Sequence, residues 1–468
     1  MPALNVTPAV PNVPADPAVV PAATPAAAAP LTAVPVLAIV GLALAALASG
    51  VSLRLADALL PRLAREFSVS LGQASQVITV FAVAYGLSQL LFGPLGDRYG
   101  KYRVIAWACA ASAFTSLLCA LAPGHGTLLA GRLVAGATAA AVIPLSMAWI
   151  GDVVPYAQRQ PVLARFLIGQ ITGFAIGVWS GGFAAEHLDW RTPFFGVAVL
   201  FGVVALVLQW LRRRLPAAAM AARTAGVGRG VGNPVRRGAA EFAAVLAKPW
   251  ARVVLVTVFF EGAAVYGPFA FIASHLHQRF GLPLSTVGAL VMLFAAGGLG
   301  FALFARWLVQ CLGEVVLVRT GAAFMAAALW ALVWAPAWAW AMPACALMGL
   351  GFYMMHNTLQ THATQMAPER RGAAVASFAA CFFLGQSLGV GLAGLLVGTV
   401  GTGGGAGGGR VGLAGGGVEL QPPAAWAGGA GGGHGLKSRP TAQAGRRTPH
   451  MARPTPQAQR IFDACPAQ

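Results

Sequence analysis

Charged residues are scarce in this chain. Asp, Glu, Lys and Arg make up only 9% of its 468 residues, whereas an ordinary soluble domain carries about 25%. Hydrophobic residues account for 57% of the chain, which is more than an average soluble domain contains. This balance argues against a soluble protein and predicts that a lipid bilayer surrounds most of the chain.

Motifs for several common chemistries are also missing. The sequence contains neither the P-loop pattern GxxxxGK[ST] nor the zinc-protease pattern HExxH. Its six cysteines form no CxxC pair, so no metal site of that type is expected. We therefore predict that the protein is not an enzyme and that it needs no cofactor or metal.

Apolar runs that are about long enough to cross a ~30 Å hydrocarbon layer as helices recur along the chain. They form a first group of six and, after a polar, Arg-rich connection, a second group of five, which predicts an all-α polytopic membrane protein. The predicted spans are 36–60, 75–95, 103–122, 128–150, 163–184, 194–211, 252–273, 284–305, 316–335, 339–361 and 373–399.

Positive charge is distributed unevenly between the connections. The formal net charge of +18 would also suit a nucleic-acid binder. Most Lys and Arg residues, however, lie in short segments on alternate sides of the apolar runs, the pattern by which positive charge sets membrane orientation. This predicts a multi-pass protein of the bacterial inner membrane, with a cytoplasmic N-terminus and no affinity for nucleic acid.

The two ends of the chain differ from the apolar middle. Residues 1–32 are rich in Pro and Ala and are predicted to be disordered, and 401–468 are Gly-rich without a run able to span a bilayer. A twelfth span is therefore missing. The tail is either a native low-complexity extension or an out-of-frame ending, and the abrupt switch favours the second. The middle divides into an N-terminal bundle at 33–211, a cytoplasmic loop at 212–250 and a C-terminal bundle at 251–400.

A short internal repeat relates the two groups of spans. The pentapeptide GQITG at 169–173 in the fifth span recurs as GQSLG at 385–389 in the eleventh. Because these spans hold the same place in their groups, the match favours a duplicated six-helix unit.

One segment between the second and third spans carries a specific pattern. It reads GPLGDRYGKYR at 93–103 and resembles the signature loop of the major facilitator superfamily, G-x-L-a-D-r-x-G-r-k. In that family the loop holds the two halves in one access state, so the resemblance implies a gating role. A generic positively charged turn is the alternative, but it leaves the spaced glycines unexplained. The gating candidates are Gly93, Asp97, Arg98, Gly100, Lys101 and Arg103.

Two further segments resemble the family in part. Arg132 in the fourth span resembles an intramembrane arginine motif, and it either lines a proton or substrate path or reaches the membrane interface. A glycine strip on one face of the fifth span resembles the family's antiporter motif, with Val178 in place of a proline. The strip therefore indicates either antiport or ordinary close helix packing. It consists of Gly169, Gly173, Gly177 and Gly181.

Ionisable and polar residues inside spans are costly unless they are paired or face water, so they are candidates for function. Glu261 lies in an apolar stretch of the seventh span and is the first candidate for proton coupling, with a structural hydrogen bond as the alternative. Arg54 and Asp57, three residues apart on one helix face, form either a cavity ion pair or a marker of the interface. Four others either contact solute or bond a neighbouring helix: Gln170, Gln386, His356 and Asn357.

The resemblance covers about residues 33–400 and implies two six-helix bundles that rock about a central site, with a monomer as the working unit. It is similar to the drug:proton antiporter branch, which implies export of a small molecule in exchange for protons. Two alternatives remain: a proton:solute symporter that takes up a metabolite, and a membrane protein without transport activity that lacks its last helix. Neither the substrate nor the direction of transport follows from the sequence.

Overall fold

A computed structural model of the protein describes residues 35–216 and 234–402, which form helices and short connections without a strand. The predictions for the N-terminal segment 1–32, and for the tail from 403 onwards, lie outside these residues.

The first group of spans contains nine helices, because some of its membrane crossings are interrupted. They are α1 Val36–Arg54, α2 Leu60–Glu66, α3 Leu71–Ala74, α4 Gln76–Tyr99, α5 Lys101–Ala120, α6 His125–Ala139, α7 Val142–Val153, α8 Tyr156–His187 and α9 Thr192–Arg214.

Two of these interruptions lie beside prolines. They show that the spans predicted as unbroken at 36–60 and 128–150 are each divided. Helix α1 ends at Arg54, and α2 begins with Pro61 in its first turn, where the missing N–H is no loss. Between α6 and α7, Pro144 has no N–H to bond the carbonyl of residue 140, and its ring crowds that carbonyl. Both crossings are interrupted at these points.

The second group contains five helices and two short 3-10 turns, at Trp338–Trp340 and Pro368–Arg370. The helices are α10 Pro234–Leu246, α11 Pro249–Phe280, α12 Leu284–Trp334, α13 Ala341–Gln365 and α14 Arg371–Thr402.

Helix α12 provides two membrane crossings. It is 51 residues long, about 76 Å at 1.5 Å per residue, whereas one crossing needs ~30 Å. Gly313 breaks it with a non-helical backbone (φ 68°, ψ 166°) that is easy only for glycine. Ten helical stretches of the described residues, some of them joining two of these helices, are long and apolar enough to cross a membrane, and α12 counts once among them. The eleven predicted crossings are therefore confirmed.

The connection predicted as a loop at 212–250 contains structure. Helix α10 lies in it and packs closely on α4: a Cβ atom added at Gly238 would lie only 2.6 Å from the Leu90 carbonyl oxygen. Val245 is buried and Glu241 pairs with Arg370 at 2.7 Å. The helix was missed because it is amphipathic: its apolar face is short and its opposite face is polar, so it forms no continuous apolar run.

The repeated pentapeptide packs in the same way in both halves. A Cβ atom added at Gly173 of α8 would collide with the backbone of Leu47 in α1, and one at Gly389 of α14 would collide with the backbone of Ala263 in α11. The second copy also fits the hydrolase pattern GxSxG. Its Ser387 lies inside α14, however, and its hydroxyl donates to the Thr79 carbonyl oxygen at 3.1 Å. That environment lacks the strand-to-helix turn of a nucleophile.

The halves meet along α4 with α14 and α8 with α12. We call the end of the bundle that holds Gly100 the Gly100 end, and the opposite one the Glu186 end. At the Glu186 end, the backbone N–H of Ser285 donates to Glu186 at 2.9 Å, and its hydroxyl contacts the same carboxylate. A Cβ atom at Gly72 would collide with Gly394 of the other half. The two halves are thus tightly packed at the Glu186 end.

Candidate functional site

Arg54 and Asp57 lie at the end of α1 and in the turn after it, and both are inside the protein. Arg54 is 3% exposed and Asp57 1%. Arg54 Nη1 lies 3.6 Å from Asp57 Oδ2. Of the two interpretations drawn from the sequence, the geometry matches a buried ion pair, because neither side chain reaches the surface.

Arg54 also contacts the opposite half. Its Nη2 donates to Gln386 Oε1 at 3.4 Å, and its guanidinium lies 3.8 Å from the centre of the Tyr266 ring. A cation over an aromatic face is attracted by the ring's negative surface, and more strongly where water is excluded. One arginine of the first half is therefore bound by two residues of the second.

A narrow cavity opens beside Arg54 at the junction of the halves. Phe174 and Val178 of α8 line it from the first half, and Phe269 of α11 and Phe294 of α12 from the second. Its walls are apolar apart from Arg54, and it is smaller than the ~300–1,000 Å³ pockets that hold drug-sized ligands in proteins.

Glu261 and His356 form the second contact between ionisable side chains, and it is part-buried. His356 Nδ1 lies 3.0 Å from Glu261 Oε2, and Glu261 is only 3% exposed. The imidazole ring also stacks on Phe352, with ring centres 4.9 Å apart. The sequence indicated both residues, but in separate roles, because 95 positions separate them along the chain.

Tyr266 joins the two ionic contacts and was not predicted from the sequence. Its ring lies against Phe352 and Phe382, with centres 5.4 and 5.6 Å away, and both of these rings also contact His356. Its only signal in the sequence is that it follows Glu261 by five residues in the same span. A continuous aromatic cluster thus runs from Arg54 to His356.

Arg132 lies outside this cluster. It is 1% exposed, donates to the carbonyl oxygens of Val77 and Ser52 at 3.2 and 3.1 Å, and lies 4.0 Å from the centre of the Phe81 ring. The side chain therefore lies inside the bundle and not on its outer surface. Its contacts hold α1, α4 and α6 together inside the first half.

Gln170 and Asn357 are not brought into the cluster. Gln170 is partly buried on α8, where α1 passes close to its backbone at Gly50. Asn357 is exposed, and its carbonyl oxygen accepts a hydrogen bond from Thr361 at 2.9 Å. Of the four polar candidates, the structure therefore joins Gln386 and His356 to the ionic contacts.

The segment 93–103 is mostly helical, which corrects its description as a loop. Gly93, Asp97 and Arg98 lie in α4, and only Gly100 (φ 88°) separates that helix from α5. In α5, Lys101 Nζ lies 2.5 Å from Asp152 Oδ2 of α7. One residue suffices for the turn, because glycine adopts positive φ without strain.

The glycine strip of α8 faces α1 along four turns. Cβ atoms added at its members would crowd the backbone of α1 at Ala43, Leu47 and Val51, and that of Leu55 directly after it. Close approach of two backbones therefore accounts for the strip.

Comparison with known proteins identifies relatives over most of the chain. An uncharacterised MFS-type transporter of Bacillus subtilis, YceJ, is 25% identical over 74% of this chain and 86% of its own length. The multidrug export protein EmrB of Escherichia coli is 31% identical, over 37% of this chain and 36% of EmrB. The puromycin resistance protein pur8 of Streptomyces alboniger is 32% identical over 28% of this chain and 26% of its own length.

A solved structure shares the fold. The nucleoside transporter NupG, crystallised as a mutant, superimposes with a TM-score of 0.62 at 15% identity, over 78% of this chain and 92% of NupG. The sequence pattern of the Major Facilitator Superfamily matches residues 42–390. The paired halves, the glycine-lined helix contacts and this match lead to one conclusion: the chain is a multi-pass membrane transporter that belongs to the major facilitator superfamily.

Proposed function

We propose that the protein exports a small molecule in exchange for protons, by alternating access between its two halves. The observation that carries the proposal is the contact between the buried Glu261 and the partly buried His356, which lies in the second half and is linked through Tyr266 to Arg54 of the first. Export is favoured over uptake because the named relatives include an export protein and a resistance protein.

Proton exchange at Glu261 and His356 follows from the cost of burying charge. With one proton shared between them the pair is neutral overall, and with none it carries one negative charge. An apolar interior penalises the charged form unless another cation compensates for it. A cationic substrate that enters beside the pair would supply this compensation and permit release of the proton, which is the competition that antiport requires.

Arg54 and Asp57 provide the link between the halves. Arg54 contacts Gln386 and Tyr266 across the junction while it is paired with Asp57. If the halves rock apart here, Arg54 loses its partners in the second half and depends on Asp57 alone. We infer that this exchange of partners accompanies the change of access. We also propose a monomer as the working unit, as the resemblance to the superfamily implies.

We further propose that the N-terminus is cytoplasmic and that the membrane is the bacterial inner membrane. The positive charge of the Gly100 end, at Arg98, Lys101 and the cluster Arg212, Arg213 and Arg214, supports this orientation. Reporter fusions at Gly100 and at residue 188 would test it, and an external reporter at Gly100 would contradict it.

The first testable prediction concerns Glu261. Purified protein in liposomes carrying a pH gradient is assayed with a panel that includes ethidium and puromycin. We expect Glu261→Gln to abolish gradient-driven movement of whichever compound the wild type moves, because glutamine cannot exchange a proton. Binding of a cationic compound such as ethidium should also weaken, because the neutral glutamine mimics the protonated carboxylate with which the substrate competes.

The matched control is Glu314→Gln. Glu314 also contacts a histidine, His362 at 3.3 Å, but its side chain is 56% exposed. We expect this variant to transport like the wild type. Full gradient-driven transport by Glu261→Gln would contradict the assignment, and compound entering with the protons would show that the protein is a symporter.

A further inference from the structure

A cationic and aromatic surface covers the outside of the first half at the Gly100 end. We call it the Arg–Trp surface. All seven of its side chains are exposed, with Trp107 at 49% and Trp210 at 48%. Its members are Arg98, Tyr99, Arg103, Trp107, Trp210, Arg213 and Arg214.

Three of its arginines lie over aromatic rings. The guanidinium carbon of Arg214 is 3.9 Å from the Trp210 ring centre, and that of Arg103 is 5.8 Å from the Trp107 ring centre. Arg98 lies 5.1 Å from the ring centre of Tyr99, whose ring is 6.0 Å from that of Trp107. The rings hold the cations in place without neutralising them.

The two Arg–Trp pairs lie at the same level along the bundle. Helices α5 and α9 run in opposite directions side by side, and Gly202 of α9 lies opposite Ala113 of α5. Ten residues from this point towards the Gly100 end lead to Arg103 on α5 and to Arg212 on α9. The side chains of Tyr102 and Leu211 also converge on Gly41 of α1, which fixes the same register a second time.

The charges on this surface are not balanced by acids. Within the described parts of the chain, no ion pair is formed by Arg98, Arg103, Arg213 or Arg214. Other cations at the Gly100 end are paired, since Lys101 contacts Asp152 and Lys248 contacts Glu369. Four guanidinium groups without an acidic partner, two of them beside indole rings, are therefore available to an external anion.

We propose that the Arg–Trp surface binds the phosphate groups of anionic phospholipids. Guanidinium groups bind phosphate oxygens through paired hydrogen bonds. Indole rings favour the boundary between headgroups and acyl chains, and cations next to a span attract anionic lipids. The surface lies on the outside of the bundle, so this proposal does not depend on the substrate or on proton coupling.

Native mass spectrometry of the detergent-purified full chain tests the proposal, with dioleoylphosphatidylglycerol and dioleoylphosphatidylcholine as probes. We expect wild-type protein to bind the anionic lipid more tightly. The double variant Arg103→Gln with Arg214→Gln should bind it about twenty-five-fold more weakly, at roughly five-fold per cation removed. Its binding of the zwitterionic lipid should not change.

The matched control is Arg306→Gln with Arg319→Gln. These two arginines are also exposed near the Gly100 end, but in the second half and without an aromatic ring contact among the described residues. We expect less than a two-fold change. A second variant, Trp107→Leu with Trp210→Leu, keeps every charge and should weaken phosphatidylglycerol binding a few-fold.

Three results would overturn the proposal. They are equal binding of the two lipids by wild-type protein, unchanged phosphatidylglycerol binding by the arginine variant, and equal losses in that variant and its control. Since all substituted side chains are exposed, we expect each protein to keep the wild-type unfolding midpoint. If the arginine variant does not purify as a folded protein, the tryptophan variant decides, and unchanged binding by it would overturn the proposal.

Discussion

At the scale of single residues, Arg54 is held by three kinds of partner. Asp57 compensates its charge, Tyr266 offers an aromatic face, and Gln386 offers a carbonyl oxygen. A buried cation needs such compensation because the interior solvates it poorly. Two of the three partners come from the second half, so the relative position of the halves determines how well Arg54 is stabilised.

Gln386 and Gln170 provide a matched pair for testing this dependence, since they hold equivalent positions in the internal repeat. Gln386 is fully buried and accepts from Arg54, whereas Gln170 is only partly buried. We expect Gln386→Leu to lower the transport rate at least ten-fold, because Arg54 loses its acceptor in the other half. Gln170→Leu should cost much less.

Rates measured in liposomes for both variants, with protein amounts matched, check this prediction. Equal losses for the two glutamines would show that the repeat position matters and the Arg54 contact does not.

At the scale of helices, glycines determine which helices touch. In α8 and α14, glycines four residues apart lie directly against the backbones of α1 and α11. Small residues let helices approach closely in a membrane, where packing replaces the hydrophobic effect as the driving force. The same device is used at the same place in both halves.

Alanine at these positions should therefore destabilise the protein. We expect Gly173→Ala and Gly389→Ala each to reduce the free energy of unfolding by about 1–3 kcal/mol, the usual cost of overpacking, because the new Cβ atoms would collide with Leu47 and Ala263. Gly196→Ala is the control, since no atom lies within 4 Å of its Cβ position.

Unfolding followed by intrinsic fluorescence in detergent measures the difference. The control should be neutral or slightly stabilising, because alanine favours helix more than glycine does. A midpoint for Gly173→Ala equal to that of Gly196→Ala would contradict the close approach of α8 to α1.

At the scale of the whole molecule, contacts between the halves are concentrated in two helix pairs, α4 with α14 and α8 with α12. At the Glu186 end, Glu186 accepts from Ser285 while Gly72 lies against Gly394. At the Gly100 end, α10 bridges the halves through Leu90 of α4 and Arg370 before α14. Alternating access requires the first set of contacts to separate.

Linking Glu186→Cys to Ser285→Cys with a short bifunctional thiol reagent should stop transport. The link would hold the Glu186 end closed, and cleaving it with a reductant should restore activity. The control links Arg62→Cys to Glu66→Cys, which are 3.8 Å apart at their charged atoms and lie in one helix of one half. We expect this control to transport normally after linking.

Transport before linking, after linking and after reduction is measured in liposomes, and mass spectrometry establishes that the link has formed. Undiminished transport by fully linked Glu186→Cys/Ser285→Cys protein would rule out movement of the halves at this end.

Much of the fold could be predicted from the sequence, and the errors have physical causes. The eleven crossings follow from apolar runs, while the interruptions at Pro61 and Pro144 were missed because a proline is compatible with either a bend or a break. Helix α10 was missed because its apolar face is short. The candidate site was predicted as a set of isolated residues: Glu261, His356, Arg54 and Gln386 were named as candidates, whereas Tyr266 carried no signal that separates it from packing residues.

The sequence by itself determined the helical class, the number of crossings and the repeat. Backbone N–H and C=O groups inside a bilayer find hydrogen-bond partners within their own helix, so local hydropathy is enough to locate each crossing. Only the tertiary structure decided that Glu261 meets His356 and that Arg54 meets Gln386, 332 positions away. Such contacts depend on how glycine-lined faces bring helices together, and hydropathy along one helix contains no information about its neighbours.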